Sequence, residues 1–262
     1  MFKVGYFQFN PRFGNLDANR DTVLKALEPV EADLIVLPEL PFTGYCFKNR
    51  RELASMAEDP ARSETFDILA GICRRKRMYI VTGFAEKAGS RIFNSSLLIG
   101  PRGLIHTYRK IHLFNEEKRY FDPGDVPLRI NTVRSVRVGM MICFDWVFPE
   151  VARTLTLKGA ELLCHPSNLV LNYCQKSMLT RCIENGIFAV TTNRFGLEKR
   201  PHGSVRFTGG SQVVGPRGQL LARAPVQRKQ LTVVEIDPKE SKNKSLTGRN
   251  HLLRDRRPEF YL

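Results

Sequence analysis

The sequence predicts an α/β protein in which mixed β-sheets are layered with helices. Three observations carry this reading. Short apolar runs recur along all 262 residues, segments of helical pattern lie between several of them, and the turn sequence GPRG occurs twice, at 100–103 and 215–218. Alternating strands and helices imply parallel strands with crossover helices, whereas Gly/Pro turns between strands imply hairpins, so both kinds of pairing belong in one molecule. The recurrence of GPRG is compatible with two pseudo-equivalent halves packed sheet to sheet. No low-complexity linker divides the chain, so residues 1–262 read as a single domain with 239–262 as its C-terminal tail.

Taken in order, residues 2–9 alternate apolar and polar side chains as a strand does, and 17–31 carry a helical pattern. The run 33–38 is a buried strand ending in Pro38-Glu39. In 63–77 (SETFDILAGICRRKR) a helix ends in basic residues that complement its dipole. Further strands are expected over 78–84, 94–99, 136–143, 161–165, 187–193, 210–214 and 231–236, with helices over 149–158 and 175–185. The tail SKNKSLTGRNHLLRDRRPEFYL has little local pattern, as expected of a segment that docks on something.

The 42% hydrophobic content can fill a substantial core. No apolar run approaches the roughly 18 residues that cross a bilayer, and MFKVGYFQFN has none of the marks of a signal peptide. The expectation is a cytoplasmic protein with no membrane contact. A net charge of +15 raises the question of nucleic acid, but no basic stripe is interleaved with aromatics and no recognition module is present, so the charge reads as a solvated surface. The six cysteines form no CxxC pair. Cys164 and His165 are adjacent on a strand and point opposite ways, so neither a metal nor a cofactor is expected.

Three polar residues stand where burial is expected. Glu39 ends the run LIVLPE, Lys110 sits among Ile111, Leu113 and Phe114, and Cys143 closes the run before Phe144-Asp145-Trp146. Alone, each has a plain structural reading: a capping or paired Glu, a Lys whose stem lies along an edge strand, a Cys acting as a small hydrophobe. Together they suggest a mechanism. Moving a proton from a thiol to an ordinary carboxylate is uphill by roughly 5.7 kcal/mol. Burial of Glu39 and the nearby Lys110 ammonium both reduce that gap. The ammonium, with a backbone N–H after the nucleophile, can also hold the oxyanion formed when sulfur attacks a carbonyl or nitrile carbon.

These residues resemble the nitrilase, or carbon-nitrogen hydrolase, superfamily. The similarity spans nearly the whole chain: LPELPFTGY around Glu39, YRKIHLF around Lys110, MICFDWVFPE around Cys143, HPSN at 165–168, RCIENGIFAVTTNR at 181–194 and the late GGSQVVGPRG. The resemblance implies an αββα sandwich, a four-layer α/β fold, with a Glu39–Lys110–Cys143 triad at strand ends. It also implies that Glu117, rather than the neighbouring Glu116, sits beside the triad. Arg181, Glu184 and Asn185 match a structural helix. Phe144, Trp146 and Asn168 are taken as substrate-binding residues, with Tyr173 and Phe195 as further pocket candidates. The expected activity is hydrolysis of a small linear amide or N-carbamoyl compound through a cysteine thioester, with an aliphatic nitrilase as the alternative. Cys-Phe-Asp after the nucleophile resembles the amidase and carbamoylase branches, and the short Asp145 is expected to leave room for substrate. A papain-like pair of Cys143 with His165 is the rival chemistry, but it leaves Glu39 and Lys110 unexplained. The expected assembly is a homodimer or higher even oligomer, with the tail reaching across to its partner.

Overall fold

The computed structural model describes residues 1–261; residue 262, the last of the predicted tail, lies outside the described residues. The chain begins with β1 (Phe2–Gln8), α1 (Leu16–Leu27), β2 (Leu34–Val36), the short α2 (Arg50–Ala54), α3 (Glu64–Lys76) and β3 (Tyr79–Ala88), in which the three strands run parallel. Two antiparallel strands, β4 (Arg91–Gly100) and β5 (Gly103–Arg109), follow. After α4 (Glu117–Tyr120) and β6 (Ile130–Val133) the pattern repeats. Strands β7 (Val136–Met140), β8 (Leu162–Ser167) and β9 (Phe188–Asn193) are parallel, with α5 (Pro149–Leu157) and α6 (Cys174–Asn185) as crossovers. A separate hairpin, β10 (Phe195–Arg200) and β11 (Gly203–Thr208), precedes the antiparallel β12 (Gln212–Val214) and β13 (Leu220–Arg223). Finally β14 (Gln230–Ile236) returns to pair with β1, and α7 (Lys239–Lys242) opens the tail.

The result is two six-stranded sheets of order β14-β1-β2-β3-β4-β5 and β13-β12-β9-β8-β7-β6. Each half reads strand–helix–strand–helix–strand and then a hairpin, and the two GPRG turns join β4 to β5 and β12 to β13. The repeated turn therefore marks equivalent corners of two similar halves. The sheets face each other, β1 against β9 and β3 against β8, with α1 and α3 outside one and α5 and α6 outside the other. This is the αββα sandwich.

Period-2 alternation explains the continuous apolar runs, because both faces of each sheet are covered. Along β1, Phe2, Val4 and Tyr6 join the layer between the sheets with Val138, Met140 and Leu162. Phe7 instead packs outward with Val23, Leu27, Leu69 and Ile72 of α1 and α3. The basic run 74–77 closes α3, with Arg77 in the left-handed C-cap position and Arg75 paired to Glu28 at 2.7 Å. All six cysteines are free. Among the described residues no helix is long and apolar enough to cross a membrane.

Two sequence expectations need correction. The predicted strand 136–143 stops at Met140, and Cys143 opens a tight 3₁₀ turn, Cys143–Val147. Strands β6, β10 and β11 were not expected, because their exposed faces dilute the apolar signal, and β5 and β13 were implied only by the GPRG turns before them.

Candidate active site

Glu39 lies just past β2, fully buried. Its neighbour Leu40 turns the chain with φ at 46°. The segment lies so close to β3 that a Cβ on Gly83 would sit 2.4 Å from the Leu40 N and 2.5 Å from the Glu39 Cα. Only glycine fits there. Glu39 Oε1 accepts hydrogen bonds from Asn94 Nδ2 at 2.7 Å and from Lys110 Nζ at 2.7 Å. Its Oε2 is buried and has no partner among the described residues.

Lys110 leaves the end of β5 and is held by its own backbone: its N–H donates to Asn94 O at 2.8 Å, and its carbonyl accepts from Gly124 N at 2.9 Å. Its ammonium also donates to Glu117 Oε1 at 2.8 Å. Glu117 sits in the first turn of α4, where its carboxylate accepts from the Tyr45 hydroxyl at 2.7 Å and the Phe114 N–H at 3.1 Å. Glu116, one residue earlier, is exposed and pairs with Arg119. The structure thus brings Glu39, Lys110 and Glu117 into one buried chain and leaves Glu116 out. Burial alone would lower the Lys110 pKa, but Glu117 and Glu39 outweigh it and the value is raised, so the group stays an ammonium. Burial raises the Glu117 pKa against the pull of Lys110.

Cys143 is buried at the start of its turn with φ at 40°, a left-handed conformation that costs a non-glycine residue about 1–3 kcal/mol. Two side chains hold it there. Asp145 turns inward, where its Oδ2 accepts from the Ile142 N–H and the Tyr108 hydroxyl, both at 2.8 Å, while Oδ1 meets His112 Nδ1 at 2.8 Å. The expectation that a short Asp145 makes room for substrate is therefore wrong: the carboxylate faces the protein and braces the turn. His165 Nε2 lies 2.9 Å from the Cys143 carbonyl oxygen, so that nitrogen carries the hydrogen, and Nδ1 accepts from Thr191 Oγ1 at 3.1 Å. Burial pushes the His165 pKa down to about 4 and keeps the ring neutral. It grips the backbone of the cysteine rather than its thiol, which removes the basis for a papain-like pair.

Burial raises the Cys143 pKa well above the ordinary thiol range. The Glu39 charge raises it further, and Lys110 only partly offsets this. The resting group is a neutral thiol, so nucleophilic attack requires a base. Phe144, Trp146 and Asn168 share a narrow cavity wall with Cys143 and Phe114. Both side-chain polar atoms of Asn168 are buried and without partners among the described residues. Of the other candidates, Tyr173 is half-exposed and meets Trp146 edge-on at 5.6 Å, and Phe195 starts β10 outside this wall. Arg181 bridges Glu184 and the Trp146 carbonyl, tying α6 to the segment after the cysteine. Sequence reasoning missed Tyr45, Asn94 and Gly83. Tyr45 lay in LPFTGY, six residues past Glu39, and Asn94 broke an apolar strand; either could have been noticed as a polar group in a buried run.

Glu39 and Cys143 follow the C-terminal ends of parallel strands, where open α/β sheets gather their reactive groups. An αββα sandwich with a buried acid–ammonium–acid chain beside a thiol at this edge has the plan of the nitrilase superfamily. The chain belongs to the carbon-nitrogen hydrolase family, whose model it matches over residues 3–243. It is 41% identical over 264 residues to a nitrilase of Pyrococcus abyssi, covering 100% of this chain and 99% of the relative. It is 35% identical to an (R)-stereoselective amidase of a Pseudomonas species, over 85% of this chain and 80% of the relative. The crystal structure of a carbon-nitrogen hydrolase from Helicobacter pylori superposes with a TM-score of 0.88 at 26% identity, over 99% of this chain and 97% of that one.

Proposed function

We propose that the protein hydrolyses the carbon-nitrogen bond of a linear amide or N-carbamoyl compound through a thioester on Cys143. The observation that carries this reading is the buried, unpaired Oε2 of Glu39, whose Oε1 is fixed by Lys110 and Asn94, in the same buried site as the Cys143 thiol. Glu39 takes the Sγ proton as sulfur attacks the carbonyl carbon. The C–S bond forms and the carbonyl electron pair moves onto oxygen. An ammonium has three N–H groups, and Lys110 commits two of them to Glu39 and Glu117. The third, with the Phe144 backbone N–H, supports the oxyanion. Collapse breaks the C–N bond while Glu39 returns the proton to the leaving nitrogen. Glu39 then deprotonates a water that attacks the thioester, and as the C–S bond breaks Glu39 passes that proton to sulfur, restoring the thiol and its own carboxylate. The scheme needs no metal or cofactor. Glu117 holds Lys110 in place, and Asn168, Trp146 and Phe144 contact the substrate.

Asn168 favours an amide over a nitrile. Its donor and acceptor are both unpaired, and a carboxamide or ureido group offers both complements, whereas a nitrile offers only an acceptor. The second reading, an aliphatic nitrilase, is supported by the 41% identity to the Pyrococcus abyssi nitrilase. Ammonia release from matched pairs, one acyl chain ending in amide or nitrile, tests the choice. The amide should give the larger kcat/KM, and a tenfold preference for the nitrile, about 1.4 kcal/mol, would reverse the assignment.

For the assembly we propose a symmetric homodimer. Leu157 on α5 and Ile183 on α6 expose large apolar side chains on the outer helical layer, and the tail adds exposed Leu246, Phe260 and Tyr261. Self-association is a common way to cover such surface.

A further inference from the structure

Two cavities adjoin at the candidate site. The inner one, at Cys143, measures about 10 Å³, room for roughly one water-sized group. The outer one measures about 520 Å³, inside the ~300–1,000 Å³ range of small-molecule sites. Phe114 and Val170 belong to both walls, and Glu117, bonded to Lys110, belongs to the outer one. A substituent on a group reacting at Cys143 therefore leads past Phe114 and Val170 into the outer chamber.

The chamber's chemistry is uneven. Its depths are aromatic, formed by Tyr45, Phe47, Tyr120 and Phe121, with the rings of Phe47 and Phe121 edge-on at 6.0 Å. The one carboxylate there, Glu117, already accepts from Lys110, Tyr45 and the Phe114 N–H. Burial pushes the Cys46 thiol on the same wall up to about 12, so it carries no charge. A ligand charge carried this deep would lose hydration and find no free partner, whereas apolar carbon gains by leaving water. The exposed polar side chains, Asn115, Glu116, His202, Ser204 and Arg206, stand at the rim. A short aliphatic amide would leave most of this volume to water.

We infer that the non-reacting end of the substrate is a bulky apolar or aromatic group seated in this chamber, so that arylalkyl or long alkyl amides are preferred to short ones. The inference rests on the amide-hydrolase reading, and the test separates the two. Ammonia release is measured with acetamide, butanamide, hexanamide and 3-phenylpropanamide. Values of kcat/KM should rise roughly three- to fourfold per added methylene up to hexanamide. The ratio for 3-phenylpropanamide over acetamide should exceed about 100 and fall at least tenfold in Val205→Trp, which fills the chamber from the β11 side. Calorimetric binding of the same four amides to Cys143→Ala should show Kd falling along the series. A flat series in both turnover and binding overturns the inference. Absence of ammonia with every amide, while binding still tightens with chain length, would sink the hydrolase reading and leave the chamber's preference standing.

Discussion

Lys110 is where charge and burial meet most sharply, since among the described residues its ammonium alone is bonded to two buried carboxylates. Lys110→Met leaves Glu39 and Glu117 facing each other without it. If Lys110 is the oxyanion donor proposed above, its loss alone costs ~10²–10³ in kcat, and breaking a buried ion pair costs about 3–5 kcal/mol of stability. Both effects are expected, and initial rates with urea unfolding will separate them. His165 makes a different prediction. Its folded-state pKa of about 4 lies below the unfolded value near 6.5, so the unfolded chain takes up the proton first as pH falls. Stability is full above about pH 6.5 and declines by up to ~3 kcal/mol as pH drops to 4. Denaturant unfolding across that window should show the decline, and His165→Gln should flatten it. Glu39, Lys110 and Cys143 could be picked out as candidates in the sequence because Glu39 and Cys143 each end an apolar run and Lys110 is set against one. Tyr45 and Asn94 carried the signal of a polar group in a buried run but their partners did not show, because Asn94 meets Glu39 across 55 positions and Tyr45 meets Glu117 across 72, and such contacts exist only after the strands pair.

At the scale of elements, one tight constraint is the approach of β3 to the segment carrying Glu39. Gly83→Ala inserts a methyl group into space already held by the Leu40 N and the Glu39 Cα. A displacement of about 1 Å in a reacting group can cost ~10²-fold in rate, so this variant should lose at least that in kcat while KM for a good amide changes little. The turn after β7 is the second constraint. Asp145→Asn replaces an acceptor that serves Ile142, Tyr108 and His112 together, leaving at least one buried group poorly matched at about 1–3 kcal/mol. A Tm that stays at the wild-type value would contradict this account. Helices α1, α3, α5 and α6 and the central strands were readable from their patterns. The end of β7 was not, because MMIC continues the apolar run past Met140; Met141 still donates its N–H to the Cys164 carbonyl of β8 at 3.1 Å, and the chain turns away only at Cys143.

Across the whole molecule, the repeated GPRG correctly pointed to paired halves, whereas the position of the tail relative to any second subunit has no signature in one chain. Removing the residues after Gly248 should shift the molar mass by light scattering toward the monomer; an unchanged dimer would remove the tail from the interface. The division into halves has one more consequence. Glu39 and Lys110 come from the first half and Cys143 and Asn168 from the second, so the proposed base and the proposed nucleophile are carried on different sheets and meet only across the apolar layer where β1 faces β9 and β3 faces β8. Each half can keep its helices and strands while the two slide or part by an ångström or two. Such sub-global opening requires less free energy than complete unfolding. Turnover should therefore fade at lower urea concentration than far-UV dichroism, with coincident curves as the contrary result. Ammonia release then serves as a gauge of whether the two sheets are still in register, sensitive to loosening that leaves the secondary structure untouched.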